Sequence, residues 1–278
     1  MAAIAQTKNG AIEYRIAGEG TPLLVLNGGH THCNSPLGHE RFFIDLGYQL
    51  VVPSRPGYSK TPSATGRTAE AFADALVLLL DQLELEQVIV VGISAGGRTT
   101  LQLAGRHPQR VSKIILQNAI TGGRFPDPLT RIGTYIGFNP LTEGWTWAAF
   151  RQFARTAPLT ALKVMMGSLT TLDPKVVVEA MSAEQRQAAL TFLLTSRSGS
   201  GFLHDIRHVC GDLRRISAPT LIIESKYDGS KDASHATYAA DYIANAELFV
   251  VPAESHLMWF SDYNGAIEEK MRAFLKRV

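Results

Sequence analysis

The sequence predicts an α/β fold: a mostly parallel central sheet flanked by helices, with one helical insertion. Two observations carry this expectation. Short apolar runs alternate with helical patterns, and each run is rich in Val, Ile and Leu without polar alternation, as strands covered on both faces require. The rhythm breaks once, between Asn118 and Ile216, where no buried strand is legible. With 278 residues, 45% of them hydrophobic, the chain has ample material for a sizeable core.

A strand-like segment at 11–16 opens the chain, and apolar runs follow at 22–27, 48–53, 87–93, 113–117, 220–224 and 247–251. Helices are expected between them. Thr68 reads as the N-cap of AEAFADALVLLLDQL, with Glu70 in the first turn, where the helix dipole favours an acid. The helix expected over 97–106 ends in a basic turn ahead of Pro108. Aromatic and Met residues cluster in 138–166, and a further helical pattern spans 176–194. Pro126, Pro128, Gly137, Pro140, Gly144, Gly199 and Gly201 punctuate this stretch, so it should hold several short helices. The sheet pattern resumes at Pro219. Residues 1–120 and 216–278 are therefore assigned to one α/β core, and 121–215 to the insertion.

Composition excludes several function classes. Charged residues make up 19%, and 27 Lys and Arg against 25 Asp and Glu leave a formal net charge of +2, without a long run of one sign. No nucleic acid or other polyanion partner is expected from such a balance. The first twenty residues lack a basic segment followed by an apolar stretch, and no run is long enough for a membrane span. Cys33 and Cys210 are too few for a disulfide framework and suit a reducing compartment. A soluble, cytoplasmic chain without a membrane partner is the expectation.

The residues richest in chemistry are Gly92-Ile93-Ser94-Ala95-Gly96, which follow an apolar strand directly and open a helix. A nucleophile at the tip of a sharp strand-to-helix turn needs strained backbone angles, and side chains two residues to either side would collide with it, hence the glycines. Ser94 would then project at a helix N-terminus, where backbone N–H groups favour developing negative charge.

In this pattern the chain resembles the α/β-hydrolase superfamily, over nearly all of its length. The resemblance implies a serine nucleophile followed in chain order by an acid and a histidine. Asp228, in ESKYDGS just past the strand at 220–224, is similar to the family's acid-bearing turn, and His256, in VPAESHLMW, to its histidine loop. A hydroxyl is a poor nucleophile at neutral pH, so His256 would take its proton and Asp228 would fix the imidazole tautomer. Asp232 and Asp205 are the competing acids, Asp232 being better placed to cap the helix that begins near Ala233. Two N–H donors are needed for an oxyanion. Ala95 follows the nucleophile, and Gly29 lies in Asn27-Gly28-Gly29-His30, which resembles the family's His-Gly-X loop with Asn27 in place of the histidine. Arg55-Pro56-Gly57-Tyr58-Ser59 is also similar to a loop of the family, with a shaping role. The insertion is expected to form a cap over Ser94 that chooses the substrate. His30, Ile93, Trp145 and Trp147 are the candidates for substrate contact.

Two histidine groupings invite a metal. His204-Asp205-Ile206-Arg207-His208 has the i, i+4 spacing of a zinc motif, but Asp stands where the longer Glu would act and no third ligand is marked. His30-Thr31-His32-Cys33 has ligand chemistry without fixed geometry and reads as a site-lining loop. No metal and no cofactor are expected, and His39, His107 and His235 read as surface residues. The resulting expectation is a hydrolase of the α/β-hydrolase fold that cleaves a small carboxylic ester or related acyl substrate. The same three residues also serve C–C bond hydrolases, lactonases and perhydrolases, and a ligand-binding receptor can keep the scaffold.

Overall fold

The computed structural model describes residues 2–36, 38–123, 125–126 and 128–277. Eight strands form one sheet: β1 (Ala3–Thr7), β2 (Gly10–Ala17), β3 (Thr21–Leu26), β4 (Tyr48–Pro53), β5 (Val88–Ile93), β6 (Val111–Gln117), β7 (Thr220–Ser225) and β8 (Ala246–Val251). Their spatial order is β1-β2-β4-β3-β5-β6-β7-β8. The pairings of β1 with β2 and of β2 with β4 are antiparallel, and all the others are parallel.

The unbroken apolar runs have a simple cause. Successive side chains of a strand point to opposite faces, and here each face meets its own core. Leu24, Leu26, Val90, Ile114, Leu116 and Ile222 pack on one side with α2 (Ala69–Gln82), α3 (Gly97–Arg106) and α10 (Ser234–Tyr242). Leu23, Val25, Val91, Ile115, Leu221 and Ile223 pack on the other with α1 (Glu40–Asp45) and α11 (Asn264–Leu275). The Thr68 side chain accepts from Ala71 N, so the cap of α2 lies where the sequence put it. β1 was not anticipated. As an edge strand it buries only Ala5, and its five residues AIAQT form no apolar run.

Between β6 and β7 the chain forms α4 (Pro128–Gly137), α5 (Glu143–Thr156), α6 (Pro158–Gly167), α7 (Pro174–Ala180), α8 (Ala183–Thr195) and α9 (Gly201–Asp205). The helical pattern at 176–194 is two helices, because Ser182 starts α8 with a capping box to Gln185. These helices bury two small apolar clusters, one around Leu162, Met166 and Val178 and one around Trp147, Ala154 and Leu193. Among the described residues no helix is long and apolar enough to cross a membrane.

Candidate active site

At the end of β5 the chain turns at once, because Ser94–Gly96 is a single 3-10 turn that runs into α3. Ser94 has φ +48°, a left-handed conformation that residues other than glycine adopt only where the surroundings impose it. Close approach of β3 imposes it here. A Cβ on Gly96 would fall on the Leu26 carbonyl oxygen and stand 2.7 Å from that of Asn27, both rigid backbone. Gly28 lies on the other side of Ser94, where a Cβ would be 3.1 Å from Ser94 Cβ. The Ser94 side chain, half-buried at the start of α3, lines a cavity of about 660 Å³.

His256 and Asp228 come from the loops after β8 and β7. Nδ1 of His256 lies 2.7 Å from Asp228 Oδ2, and both residues are buried. Asp228 Oδ1 accepts from the backbone N–H and the hydroxyl of Ser230, each at 2.8 Å. Burial alone would raise the Asp228 carboxyl; the charge and hydrogen bond of His256, then Lys231 and the Ser230 N–H, outweigh it and hold the acid below its ordinary value. A carboxylate kept ionised here accepts from Nδ1–H, which leaves Nε2 as the basic nitrogen. His256, Ser230 and Ser94 line the same cavity.

Other parts of the fold fasten these loops. Asn118, at φ +44° just past β6, donates from Nδ2 to the His256 carbonyl at 2.7 Å and to Ser225 Oγ at 2.9 Å, while its Oδ1 accepts from Ser225 N at 2.8 Å. From between α6 and α7, the Leu169 carbonyl accepts from His256 N at 2.7 Å and from Gly229 N at 3.2 Å. The chain between β6 and β7 therefore braces both the acid turn and the histidine loop.

The loop after β3 is oriented by its carbonyl. Gly28 O accepts from Arg55 Nη2 and from the Thr31 hydroxyl, each at 2.7 Å. In a trans peptide the N–H points opposite to the C=O, so with both donors on the Gly28 carbonyl the Gly29 N–H points away from them, at the opposite edge of the peptide. Arg55 is itself buried and ion-paired with Asp205, whose other oxygen accepts from the Tyr58 hydroxyl. Gly28, Gly29 and Thr31 line the cavity.

Of the residues expected at the site, Ser94, Gly29, His30, Ile93, Trp147 and His256 line the cavity, and Asp228 reaches it through His256. Ala95 is buried in the turn behind Ser94. Trp145 is a correction: it is 80% exposed and does not line the cavity. It stands two residues from Trp147 on α5, about 200° round the helix, so one of the pair faces inward and the other faces water. His39 and His235 are not surface residues. His39 is buried between Asn264 and Gln117, and His235 accepts from Thr121 N at 3.2 Å. Of the competing acids, Asp205 is committed to Arg55 and Tyr58, while exposed Asp232 accepts from Ser234 N at the start of α10. His204 and His208 share no helical face, because α9 closes at Asp205. Ser230, Asn118 and Lys231 were missed, whereas Thr31 lies in the loop read as site-lining. The Asp-Gly-Ser tripeptide is a turn signature that offers a hydroxyl two residues after Asp228, and Asn at a strand end marks a tolerated left-handed position.

An alpha/beta hydrolase fold family model matches residues 21–263. The uncharacterized hydrolase YcgS of Bacillus subtilis (strain 168) is 34% identical over 256 residues, covering 90% of this chain and 89% of that protein. A 2-hydroxy-6-oxo-6-phenylhexa-2,4-dienoate hydrolase of Comamonas testosteroni is 32% identical over 110 residues, 38% of each chain. In structure the chain is similar to an alpha/beta hydrolase fold protein from Nakamurella multipartita, with a TM-score of 0.83 at 24% identity and 98% of each chain covered. Taken with the parallel sheet and the strained serine turn after β5, these likenesses make the chain a member of the α/β-hydrolase superfamily.

Proposed function

We propose that the chain is a serine hydrolase that cleaves a small, uncharged carboxylic ester, or a related acyl substrate such as a lactone, through an acyl-enzyme. One observation carries this reading: His256, paired with buried Asp228, lines the same cavity as a serine held at φ +48° on a helix N-terminus. Ser94 attacks the carbonyl, and His256 takes its proton and later returns it to the leaving group. Asp228 stabilises the imidazolium, and the N–H groups of Gly29 and Ala95 receive the oxyanion. Helices α4 to α9 act as the cap that selects the acyl group. Incubation with a fluorophosphonate, followed by a screen of chromogenic acyl esters of increasing chain length, tests the reading. Stoichiometric labelling of Ser94 with matching loss of ester turnover is expected; a folded, unlabelled protein that still cleaves esters would rule the mechanism out.

A second reading, C–C bond hydrolysis, is favoured by the relative named for a 2-hydroxy-6-oxo-6-phenylhexa-2,4-dienoate. That compound carries a carboxylate, whereas the described residues that line the cavity include no Lys or Arg. A neutral acyl substrate therefore suits this cavity better. Turnover of the dienoate above that of the best ester would reverse the preference.

A further inference from the structure

We propose that His30 is a neutral hydrogen-bond donor built into the cavity wall, which recognises a carbonyl or ether oxygen on an uncharged aromatic substrate, away from the bond that is cleaved. The inference deepens the acyl-hydrolase reading and rests on it only where turnover is measured.

The direction of the donor follows from a short chain of hydrogen bonds. Ser198 Oγ lies 2.8 Å from Trp147 Nε1 and 2.6 Å from His30 Nδ1. An indole N–H can only donate, so it occupies a lone pair of the Ser198 oxygen. A second lone pair remains, but among the described residues His30 Nδ1 is the one acceptor within reach of the hydroxyl proton, which is therefore assigned to that bond. That polarity makes Nδ1 an acceptor and places the ring proton on Nε2. Burial keeps the ring uncharged, pushing the His30 pKa down to about 4. Ser198 is itself fixed, because its backbone N–H donates to Glu143 Oε1 at 2.7 Å.

The surroundings point to a ligand. Phe202, Phe138 and Trp147 enclose the imidazole, at centroid distances of 4.0, 4.7 and 5.2 Å, and all three line the cavity together with His30. Among the described residues Nε2 meets no acceptor. That N–H opens onto the cavity, so an apolar ligand that covers it forfeits a hydrogen bond which a substrate oxygen would keep. The backbone is held for the purpose: His30 has φ +64°, its carbonyl accepts from Arg197 N at 2.9 Å, and its N–H lies 3.4 Å from the Tyr58 hydroxyl. A non-glycine residue kept in that region beside a cavity is the kind of strain that clusters at ligand clamps. The apolar walls and the absence of charged side chains among the described lining residues set the rest of the substrate: aromatic and neutral.

Three measurements test this. Long-range proton–nitrogen NMR on the wild-type protein reads the tautomer directly, with Nε2–H expected and Nδ1–H overturning the assignment. Binding is read by tryptophan quenching with 4-phenylbutan-2-one against butylbenzene. Turnover is read with p-nitrophenyl phenylalkanoates that carry, or lack, a ketone at successive chain positions. Wild type should favour the ketone about tenfold in binding and, at the best position, in kcat/KM. His30→Phe should abolish both preferences, and His30→Gln, which keeps an N–H at similar reach, should restore much of them. Equal binding of the two ligands by wild type, or a preference undiminished in folded His30→Phe, overturns the subsite. Absence of ester turnover with the binding preference intact instead overturns the hydrolase reading and sustains the role of His30.

Discussion

Lys231 Nζ lies 3.6 Å from Asp228 Oδ2, the same oxygen that accepts from His256 Nδ1 at 2.7 Å. The ammonium is fully buried and also pairs with Glu224 near the end of β7. Burial raises the Glu224 carboxyl, and Lys231 opposes that rise. Two carboxylates and one ammonium thus face a single imidazole, with His235 on α10, Arg98 on α3 and exposed Asp232 as the other titratable or charged groups nearby. The cluster carries one net negative charge, which would balance an imidazolium if His256 takes up the serine proton as proposed.

This arrangement makes two single substitutions act in opposite directions. Lys231→Met leaves two carboxylates beside His256, favours the imidazolium, and should move the acid limb of kcat/KM to higher pH by about one pH unit. Glu224→Gln removes a negative charge and should move it to lower pH. The double variant should return close to wild type. Profiles left in place by both single substitutions would show that the cluster acts only on stability, and shifts in the same direction would overturn the charge argument.

Ser94→Ala should lower ester turnover by a factor of roughly 10³ or more and leave the thermal transition near wild type, since only the nucleophile is lost. A folded variant with the wild-type rate would end the serine mechanism.

Asp228→Asn should lower kcat by about 10⁴, because an amide cannot hold His256 in the basic tautomer. Asp232→Asn should leave kcat unchanged, since Asn accepts from Ser234 N as well as Asp does. Steady-state kinetics with circular dichroism on both variants decides the acid; a large loss confined to Asp232→Asn would reverse the assignment.

His235 makes stability depend on pH. Burial, with Lys231 and Arg98, pushes its pKa down to about 4, while the unfolded chain titrates it near the ordinary ~6.5. The unfolded state therefore binds the proton first. Its contribution is full above ~6.5 and falls as pH descends toward 4, by about 3 kcal/mol at pH 4. Urea midpoints at pH 7, 5.5 and 4.5 should drop steeply for wild type and less for His235→Gln; equal slopes would remove His235 as the cause.

Much of the architecture was legible because it rests on local signals. Seven of the strands are apolar or strand-like segments, and the sharp turn after β5 declares itself through glycines either side of Ser94, directly after such a run. β1 escaped because an edge strand shares its faces with water. The helices between β6 and β7 were legible as a class but not one by one, since their apolar faces are satisfied against each other over short spans.

By itself, then, the sequence determined the alternation of strand and helix, the helical stretch between β6 and β7, the turn that carries Ser94, and the loops that hold Asp228 and His256. Periodicity, capping and turn chemistry act over a few residues, so they can be read from a few residues. Only the tertiary structure decided which polar side chains meet. Arg55 reaches Gly28 and Asp205, Asn118 spans from β6 to the His256 loop, and His30 joins Ser198 and Trp147 across the mouth of the sheet. It also turned Trp145 to water and buried His39 and His235. These partners are far apart along the chain, and what brings them together is the packing of the sheet with its helices, which gives most buried donors one place to go and leaves no local mark of where that place is.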